Sequence, residues 1–331
     1  MSFGVAIIGC GLIGHKRAKA LGSARLVACM DINFNRAEAL ARAYPGAIAY
    51  NTPEEALENK SVNIVIIATL HDSLADLSRL AVSKGKHVLV EKPAARRVSE
   101  LDGLIELADK CQVIVRVGFN HRYHRALRKA RSLIDDGFIG PLMFIRARYG
   151  HGGRVGYNKE WRSNHELSGG GELIDQGPHI IDLSRWFLGD FHSIDGHAST
   201  FYWDMKVDDN GFLILKTRAG QVAFLHVSCT EWKNIFSFEI YGRDGKIDIS
   251  GLGGSYGLEK ITFYKMLPEM GPPETTSWEY PMGDDSWLVE FQEFLDDIRL
   301  NRKPSANIQD AIATLNIIET IYRKSGYDFN T

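Results

Sequence analysis

Short apolar runs alternate with helix-compatible stretches over the first third of the chain. The apolar runs cover residues 5–8, 26–30, 62–68, 87–90 and 113–117. The stretches between them predict helices near residues 15–22, 33–44, 53–58, 74–84 and 98–110. Strands that alternate with helices in this way predict a parallel sheet with helices on both faces, which is an α/β fold.

The pattern changes after residue 121. A basic amphipathic helix is predicted for residues 122–135, and a strand for residues 142–149. Apolar runs then follow with few helical signals between them, at residues 212–215, 222–227, 235–241 and 247–249, which is typical of neighbouring antiparallel strands. Two helices close the chain, at 285–301 and 307–324, after a surface loop expected over residues 267–283. We therefore expect two domains, residues 1–121 and 122–331.

A glycine-rich turn follows the first apolar run. It reads Gly9-Cys10-Gly11-Leu12-Ile13-Gly14 and lies between a predicted strand and a predicted helix. Gly9 allows a tight turn, Gly11 lets the backbone approach a pyrophosphate, and Gly14 lets the helix pack closely on the strand. Leu12 and Ile13 complete the turn, and we expect them to contact the same ligand. The first domain is thus predicted to be a doubly wound Rossmann domain that binds a dinucleotide.

The second apolar run ends in an acidic residue, Asp31, at the expected spacing from the glycines. A carboxylate in this place accepts hydrogen bonds from a ribose hydroxyl and repels a 2′-phosphate. The next basic residue is Arg36, so no cation adjoins Asp31 to receive such a phosphate. NAD is therefore the expected cofactor, in preference to NADP.

Composition excludes several other classes of protein. The formal net charge of −2 over 331 residues gives no electrostatic reason to expect nucleic-acid or membrane partners. No apolar run approaches the roughly 20 residues that span a bilayer. The first strand begins at residue 5, which leaves no room for a signal peptide, so we expect a cytoplasmic protein. The four cysteines are isolated and show no metal-ligand spacing, and no metal is expected.

Two groups of residues are candidates for chemistry. Lys92 follows Glu91 at the end of the fifth predicted strand, the edge at which ligands bind in open parallel sheets. We expect Lys92 and Glu91 near the cofactor, and a solvated lysine at a strand end is the alternative interpretation of Lys92. Asp175 and His179 are four residues apart, and on one helix they would share a face as a proton-transfer pair. Pro178 would kink that helix or mark its first turn, and a surface ion pair is the alternative interpretation.

These motifs together resemble the glucose–fructose oxidoreductase / inositol dehydrogenase / rhizopine-catabolism (Gfo/Idh/MocA) family. The resemblance rests on GCGLIG at 9–14, Asp31, GKHVLVEKP at 85–93, VGFNHRY at 117–123, EWR at 160–162 and GGGELIDQGPHIIDLSRWFLG at 169–189. It implies a Rossmann domain followed by an α/β domain with a large, mostly antiparallel open sheet.

The resemblance also implies roles for individual residues. Lys92 would contact the reacting hydroxyl, and Asp175 and His179 would be the acid and histidine of the second motif. Asn120 and His121 would line the substrate pocket, and Thr69 would contact the cofactor. The chain departs from the family pattern after Thr69, since it reads Leu70-His71 where many members have proline next. The role of His71 is left open.

The function that these features predict is NAD-dependent oxidation of a secondary hydroxyl on a sugar, a cyclitol or a nucleotide-linked sugar. The basic residues between Arg146 and Arg162 favour a solvated face, with recognition of a phosphate or carboxylate as the alternative. Two rival functions are a glycosidase that oxidises its substrate transiently and a non-catalytic sensor of sugar or cofactor. We further expect a homodimer or homotetramer formed through the sheet of the second domain.

Overall fold

A computed structural model describes residues 3–327 of the chain. The described part contains fourteen strands, β1 Gly4–Ile8, β2 Arg25–Met30, β3 Ile48–Tyr50, β4 Ile64–Ile67, β5 His87–Glu91, β6 Val115–Gly118, β7 Leu142–Gly150, β8 Phe191–Ser199, β9 Asn210–Thr217, β10 Val222–Ser228, β11 Ile235–Gly242, β12 Gly245–Ser250, β13 Glu259–Lys265 and β14 Glu274–Tyr280. It also contains eleven α-helices, α1 Leu12–Lys19, α2 Phe34–Arg42, α3 Pro53–Glu58, α4 His71–Ser83, α5 Leu104–Cys111, α6 Arg125–Asp135, α7 His165–Ser168, α8 Glu172–Asp175, α9 Gly177–Leu188, α10 Ser286–Leu300 and α11 Ile308–Lys324.

The chain forms two compact units. The first runs to Asn120 and takes in Trp287–Ile312, while the second contains His121–Ser286 and the chain from Ala313 onwards. We expected one division at residue 121, with all later residues in the second domain. In the structure, Trp287–Ile312 belongs to the first unit. This segment brings an apolar stripe of helix α10, with Phe291, Phe294 and Leu295, into the hydrophobic core of the first unit.

The first unit is built on a six-stranded sheet in the order β3-β2-β1-β4-β5-β6. Every pairing in this sheet is parallel. The order reverses beside β1, and ligands of such sheets bind at the carboxyl ends of the strands next to this switch point. The predicted Rossmann architecture is confirmed.

The second unit is built on an eight-stranded sheet in the order β14-β13-β12-β11-β7-β10-β9-β8. Only β7 and β10 pair in parallel, and the other pairings are antiparallel, as expected. The predicted surface loop over 267–283 is wrong in its middle, where β14 pairs with β13. This strand lies at the sheet edge and is mostly exposed, so its sequence lacks the apolar alternation that marks a half-buried strand.

None of the helices within residues 3–327 is long and apolar enough to cross a membrane.

Candidate active site

In the glycine-rich turn between β1 and α1, each of the three glycines has a different steric environment. Gly9 has a φ of +94°, a backbone conformation that other residues rarely adopt. A Cβ on Gly14 would lie 2.1 Å from the carbonyl oxygen of Gly9, so the helix could not pack this closely with any other residue. A Cβ on Gly11 would meet nothing within 4 Å. Gly9 and Gly14 therefore shape the turn, whereas Gly11 borders open space that a pyrophosphate can occupy.

Asp31 holds this turn as well as marking the end of β2. One carboxylate oxygen accepts a hydrogen bond from the backbone N–H of Cys10 at 2.8 Å, and the other accepts from Asn33 at 2.8 Å. Each carboxylate oxygen keeps a further lone pair for a ribose hydroxyl. The side chain is 7% exposed, so its charge is only weakly screened by water. The residues present thus fit NAD: Gly11 would border the pyrophosphate, and Asp31 would accept hydrogen bonds from the ribose.

Thr69, Leu12 and Ile13 lie around the same turn. The backbone N–H of Thr69 would be 2.9 Å from a Cβ on Gly9, which shows how closely the end of β4 approaches the turn. The hydroxyl of Thr69 accepts a hydrogen bond from Ser73 in α4 at 2.9 Å. Leu12 is exposed and Ile13 is half-buried at the start of α1. His71 is buried as the first residue of α4.

Lys92 follows β5 in a tight turn whose next residue is Pro93. The peptide bond between them is cis, and the Lys92 side chain is half-buried. The preceding carboxylate, Glu91, is committed to a buried ion pair, since it accepts a hydrogen bond from Arg17 Nε at 2.6 Å. Arg17 also donates to Glu290 at 2.5 Å and is 1% exposed. Glu91 therefore helps to fix the end of β5 through this ion pair.

The second motif forms two helices, so Asp175 and His179 do not lie on one helix. Asp175 ends α8, Gln176 breaks the helix, and His179 is the third residue of α9. Pro178 marks the first turn of α9, one of the two outcomes expected for it. The carboxylate of Asp175 accepts a hydrogen bond from Arg162 Nε at 2.7 Å, so an arginine fixes the orientation of this acid.

His179 stacks on His121 in a buried aromatic pocket. The two ring centroids are 3.7 Å apart with 18° between the planes. Tyr149 contacts both rings edge-on, at 5.3 Å from His121 and 6.0 Å from His179. Burial raises the pKa of Tyr149 well above its ordinary value, as does its hydrogen bond with Tyr256, so the hydroxyl stays protonated at neutral pH. Asn120 is buried in the first unit, at the end of its chain segment.

A buried network of polar side chains lies beside Asp175. Its residues are not among those predicted from the sequence. Glu172 is 1% exposed, accepts a hydrogen bond from the Tyr157 hydroxyl at 3.3 Å, and lies 3.5 Å from His151 Nε2. Burial raises the pKa of Glu172, and the His151 ring opposes the rise. Burial alone would lower the pKa of His151, but Glu172 more than compensates and raises it. Among the described residues, no group of three or more His, Cys, Asp or Glu side chains is arranged to hold a metal ion.

The basic residues between 146 and 162 mostly have acidic neighbours. Arg146 donates to Glu239 at 2.5 Å, and Arg154 donates to Glu160 at 2.7 Å. Arg162 binds Asp175, which raises the pKa of the guanidinium. Three of these cations are therefore neutralised within the protein, which reduces their capacity to recruit a phosphate.

Comparison with known proteins agrees with this geometry. Residues 3–119 match the family described as "Oxidoreductase family, NAD-binding Rossmann fold", and residues 127–248 match the Gfo/Idh/MocA C-terminal domain. The chain belongs to the Gfo/Idh/MocA family. It is accordingly an NAD-dependent oxidoreductase, and the family resemblance read from its motifs is confirmed.

Relatives within the Gfo/Idh/MocA family are distant in sequence. A levoglucosan dehydrogenase of Pseudarthrobacter phenanthrenivorans is 25% identical over 218 residues, which cover 58% of this chain and 56% of that protein. A myo-inositol 2-dehydrogenase of Thermotoga maritima is 23% identical over 92% of this chain and 91% of its own length. A crystal structure of levoglucosan dehydrogenase with NADH and levoglucosan has a TM-score of 0.86 at 21% identity, with 98% of each chain covered. The last comparison establishes the fold.

Proposed function

We propose that this chain oxidises a secondary hydroxyl of a neutral sugar or cyclitol, with NAD as the hydride acceptor. The observation that carries the proposal is the placement of His179 in a buried aromatic pocket, one short turn after an aspartate oriented by Arg162. Such a histidine, shielded from bulk water, can take the proton of a bound hydroxyl. The curated relatives named above act on levoglucosan and on myo-inositol, which supports a polyol substrate for this chain.

Three residues of this chain carry the proposed chemistry. His179 accepts the hydroxyl proton at an imidazole nitrogen, and the negative charge of Asp175 stabilises the resulting imidazolium. The ammonium group of Lys92 stabilises the alkoxide as its charge develops. NAD, when bound, supplies the redox chemistry by accepting the hydride from the carbinol carbon. Asn120 and His121 are proposed to line the substrate pocket.

Charge in the second unit favours a neutral substrate over a sugar acid or a nucleotide-linked sugar. Arg146, Arg154 and Arg162 all donate to carboxylates of the same unit. A phosphate or carboxylate would have to compete with these internal carboxylates for the guanidinium charges. A polyol needs only hydrogen bonds, which the buried polar side chains can provide.

The sheet of the second unit is proposed to form a contact with another copy of the chain. Alternate residues of β9 and β10, such as Leu213 and Leu225, are buried, whereas Ile214 and Phe224 of the opposite face are about half exposed. Ile214 and Phe224 are direct neighbours across the two strands. An exposed apolar face of this kind is typical of an interface between subunits.

The experiment that tests the function is a panel of candidate substrates followed at 340 nm. Myo-inositol, scyllo-inositol, levoglucosan, free aldoses, a sugar acid, a sugar phosphate, a nucleotide-linked sugar and an aryl glycoside are each incubated with NAD and with NADP. We expect stoichiometric NADH formation from a neutral member and little with NADP. Release of an aglycone from a glycoside without net NADH would identify the rival glycosidase, and binding without turnover of any member would identify a sensor.

A further inference from the structure

One buried carboxylate in the second unit holds the start of helix α8. Asp208 is fully buried and accepts hydrogen bonds from the backbone N–H of Gly171 at 2.9 Å and of Leu173 at 2.7 Å. Its backbone carbonyl accepts a third bond, from the N–H of Glu172 at 3.0 Å. Three successive N–H groups of the turn and first residues of α8 are thus bound by a single residue.

A tyrosine from the C-terminal helix completes this arrangement. The hydroxyl of Tyr322 in α11 accepts a further hydrogen bond from the N–H of Gly171 at 3.1 Å. A Cβ on Gly170 would lie 2.2 Å from that hydroxyl, and a Cβ on Gly171 would lie 1.9 Å from the carbonyl oxygen of Asp208. The glycines before α8 are therefore required by the close approach of Asp208 and Tyr322.

Helix α8 depends on these contacts because it is too short to be stable alone. It has only four residues. Because any helix leaves its first four N–H groups and its last four C=O groups without partners inside the helix, so short a helix has little internal hydrogen bonding to stabilise it. Asp175 is its last residue, and His179 follows in the first turn of α9. Whatever fixes the start of α8 therefore fixes the backbone that carries Asp175 and leads directly into the first turn of α9.

We propose that Asp208, with Tyr322, is a positioning residue for the reaction, which holds Asp175 and His179 in their working orientation. The inference rests on the proposed catalytic roles of those two residues. Asp208 lies 37 and 35 positions after Gly171 and Leu173 and acts through the backbone N–H groups of these residues. Small displacements of a base relative to its substrate lower turnover strongly, whereas binding of NAD by the first unit does not require this helix.

The neighbouring residue provides a matched control. Asp209 is also fully buried, and its carboxylate accepts hydrogen bonds from the backbone N–H groups of Phe201, Tyr202 and Trp203. It therefore has the same chemistry and burial as Asp208, but it holds a different turn. An Asp-to-Asn change at either position places an amide NH₂ group where a carboxylate accepted a backbone N–H.

The test compares Asp208→Asn with Asp209→Asn, using the panel substrate that gives the fastest NADH formation. Asp208→Asn should lower kcat by about tenfold or more, with KM and the NADH dissociation constant changed by no more than about twofold. Hydrogen exchange of the segment 169–179 should quicken in this variant alone. Asp209→Asn should lower the melting temperature but keep kcat within about threefold of the unmodified protein.

Equal losses of kcat in the two variants, or an unchanged kcat in Asp208→Asn, would overturn the inference. If Asp208→Asn does not fold, Tyr322→Phe decides the question, with Tyr327→Phe as its control because the Tyr327 hydroxyl bonds Thr200 instead. We expect Tyr322→Phe to lower kcat and Tyr327→Phe to leave it unchanged. A parallel His179→Ala measurement separates the two proposals, since retained turnover there contradicts the proposed function itself.

Discussion

Asp31 holds the glycine-rich turn and is also proposed to face the ribose of the cofactor. Its carboxylate accepts backbone hydrogen bonds that hold the glycine-rich turn, and it provides the negative charge that a 2′-phosphate would meet. The two roles separate on substitution, since asparagine keeps one acceptor oxygen but loses the charge. Selectivity and affinity are therefore expected to respond differently to changes at this position.

Asp31→Asn should reduce the preference for NADH over NADPH more than it reduces the affinity for NADH. Asp31→Ala should lower affinity for both cofactors as well, because the N–H of Cys10 then loses its partner. Fluorescence titration with each cofactor measures both quantities. Glu38→Gln on the exposed surface of α2 controls for the change in net charge. Equal or tighter binding of NADPH by the unmodified protein would contradict the role of Asp31.

Single residues of the site could be predicted where the motif is local in sequence. The places of the glycine turn after β1, of Asp31 after β2 and of Lys92 after β5 follow from the local sequence. Arg17 and Asp208 could not be predicted, because their partners are remote. Arg17 binds Glu290, 273 positions away, and Asp208 binds a turn 35 and 37 positions before it. Such pairs are set by the tertiary fold, and a sequence pattern contains no sign of them.

At the scale of elements, two glycines of one turn should differ sharply when replaced. Gly14→Ala would place a methyl group 2.1 Å from the Gly9 carbonyl oxygen, so α1 must move and the melting temperature should fall. Gly11→Ala meets no protein atom within 4 Å and should fold normally, yet it should lower NAD affinity by about tenfold or more by filling the space for the pyrophosphate. Thermal denaturation and NADH titration test the pair, and normal NAD binding by Gly11→Ala would show that the cofactor lies elsewhere.

Titration of Asp208, which binds the start of α8, should make the protein more stable in acid than at neutral pH. Burial raises the pKa of Asp208 to about 6, although the N–H groups of Leu173 and Gly171 and the Tyr322 hydroxyl oppose the rise. A raised pKa means that the folded state binds the proton more tightly than the unfolded state. The associated stabilisation is complete below the unfolded pKa and is lost as the pH rises through about 6.

Asp208→Asn removes this titration. Relative to the unmodified protein, the variant should gain stability on going from pH 4.5 to pH 7.5, by on the order of 2 kcal/mol. Melting temperatures of both proteins at the two pH values measure the change, with Asp209→Asn as the control. A difference between variant and unmodified protein that does not vary with pH would show that the pKa of Asp208 is not raised.

Strands that form a continuous apolar run could be predicted from the sequence, whereas elements fixed by tertiary contacts could not. Strands β1, β2, β4 and β5 are continuous apolar runs that are buried on both faces. The edge strands β3 and β14 are short or exposed, so their residues show neither a run nor an alternation. Pro178 is a local sign of the start of α9, whereas the hydrogen bonds that Asp208 accepts at the start of α8 involve a remote residue that no local pattern reveals.

At the scale of the whole molecule, the two-sheet architecture could be predicted from the change in the pattern of apolar runs and helical signals after residue 121. The return of Trp287–Ile312 to the first unit could not be read in the same way. An apolar helical stripe shows that α10 is packed, but it does not show which sheet it packs against. The buried pair of Arg17 with Glu290, which joins α1 to α10, fixes that choice.

The exposed apolar face of the second sheet makes a prediction about assembly. Phe224→Asp should dissociate the expected dimer or tetramer, because it places a charge beside Ile214 in an interface that would exclude water. Light scattering coupled to size exclusion measures the mass. Ile48→Asp, at a comparably exposed site of the first unit, should leave the mass unchanged. A monomer at micromolar concentration for the unmodified protein would contradict the proposed interface.

The central claim is that His179 is the base of an NAD-dependent dehydrogenase, and the steady-state kcat of His179→Ala tests it most directly. With the best panel substrate, we expect kcat to fall by about 10² to 10⁴-fold while the NADH dissociation constant stays nearly unchanged. Lys92→Ala should behave similarly, because it also acts on charge that develops only during the reaction. Near-normal turnover by His179→Ala would contradict the account, and Tyr123 or His121 would then be the candidates for the base.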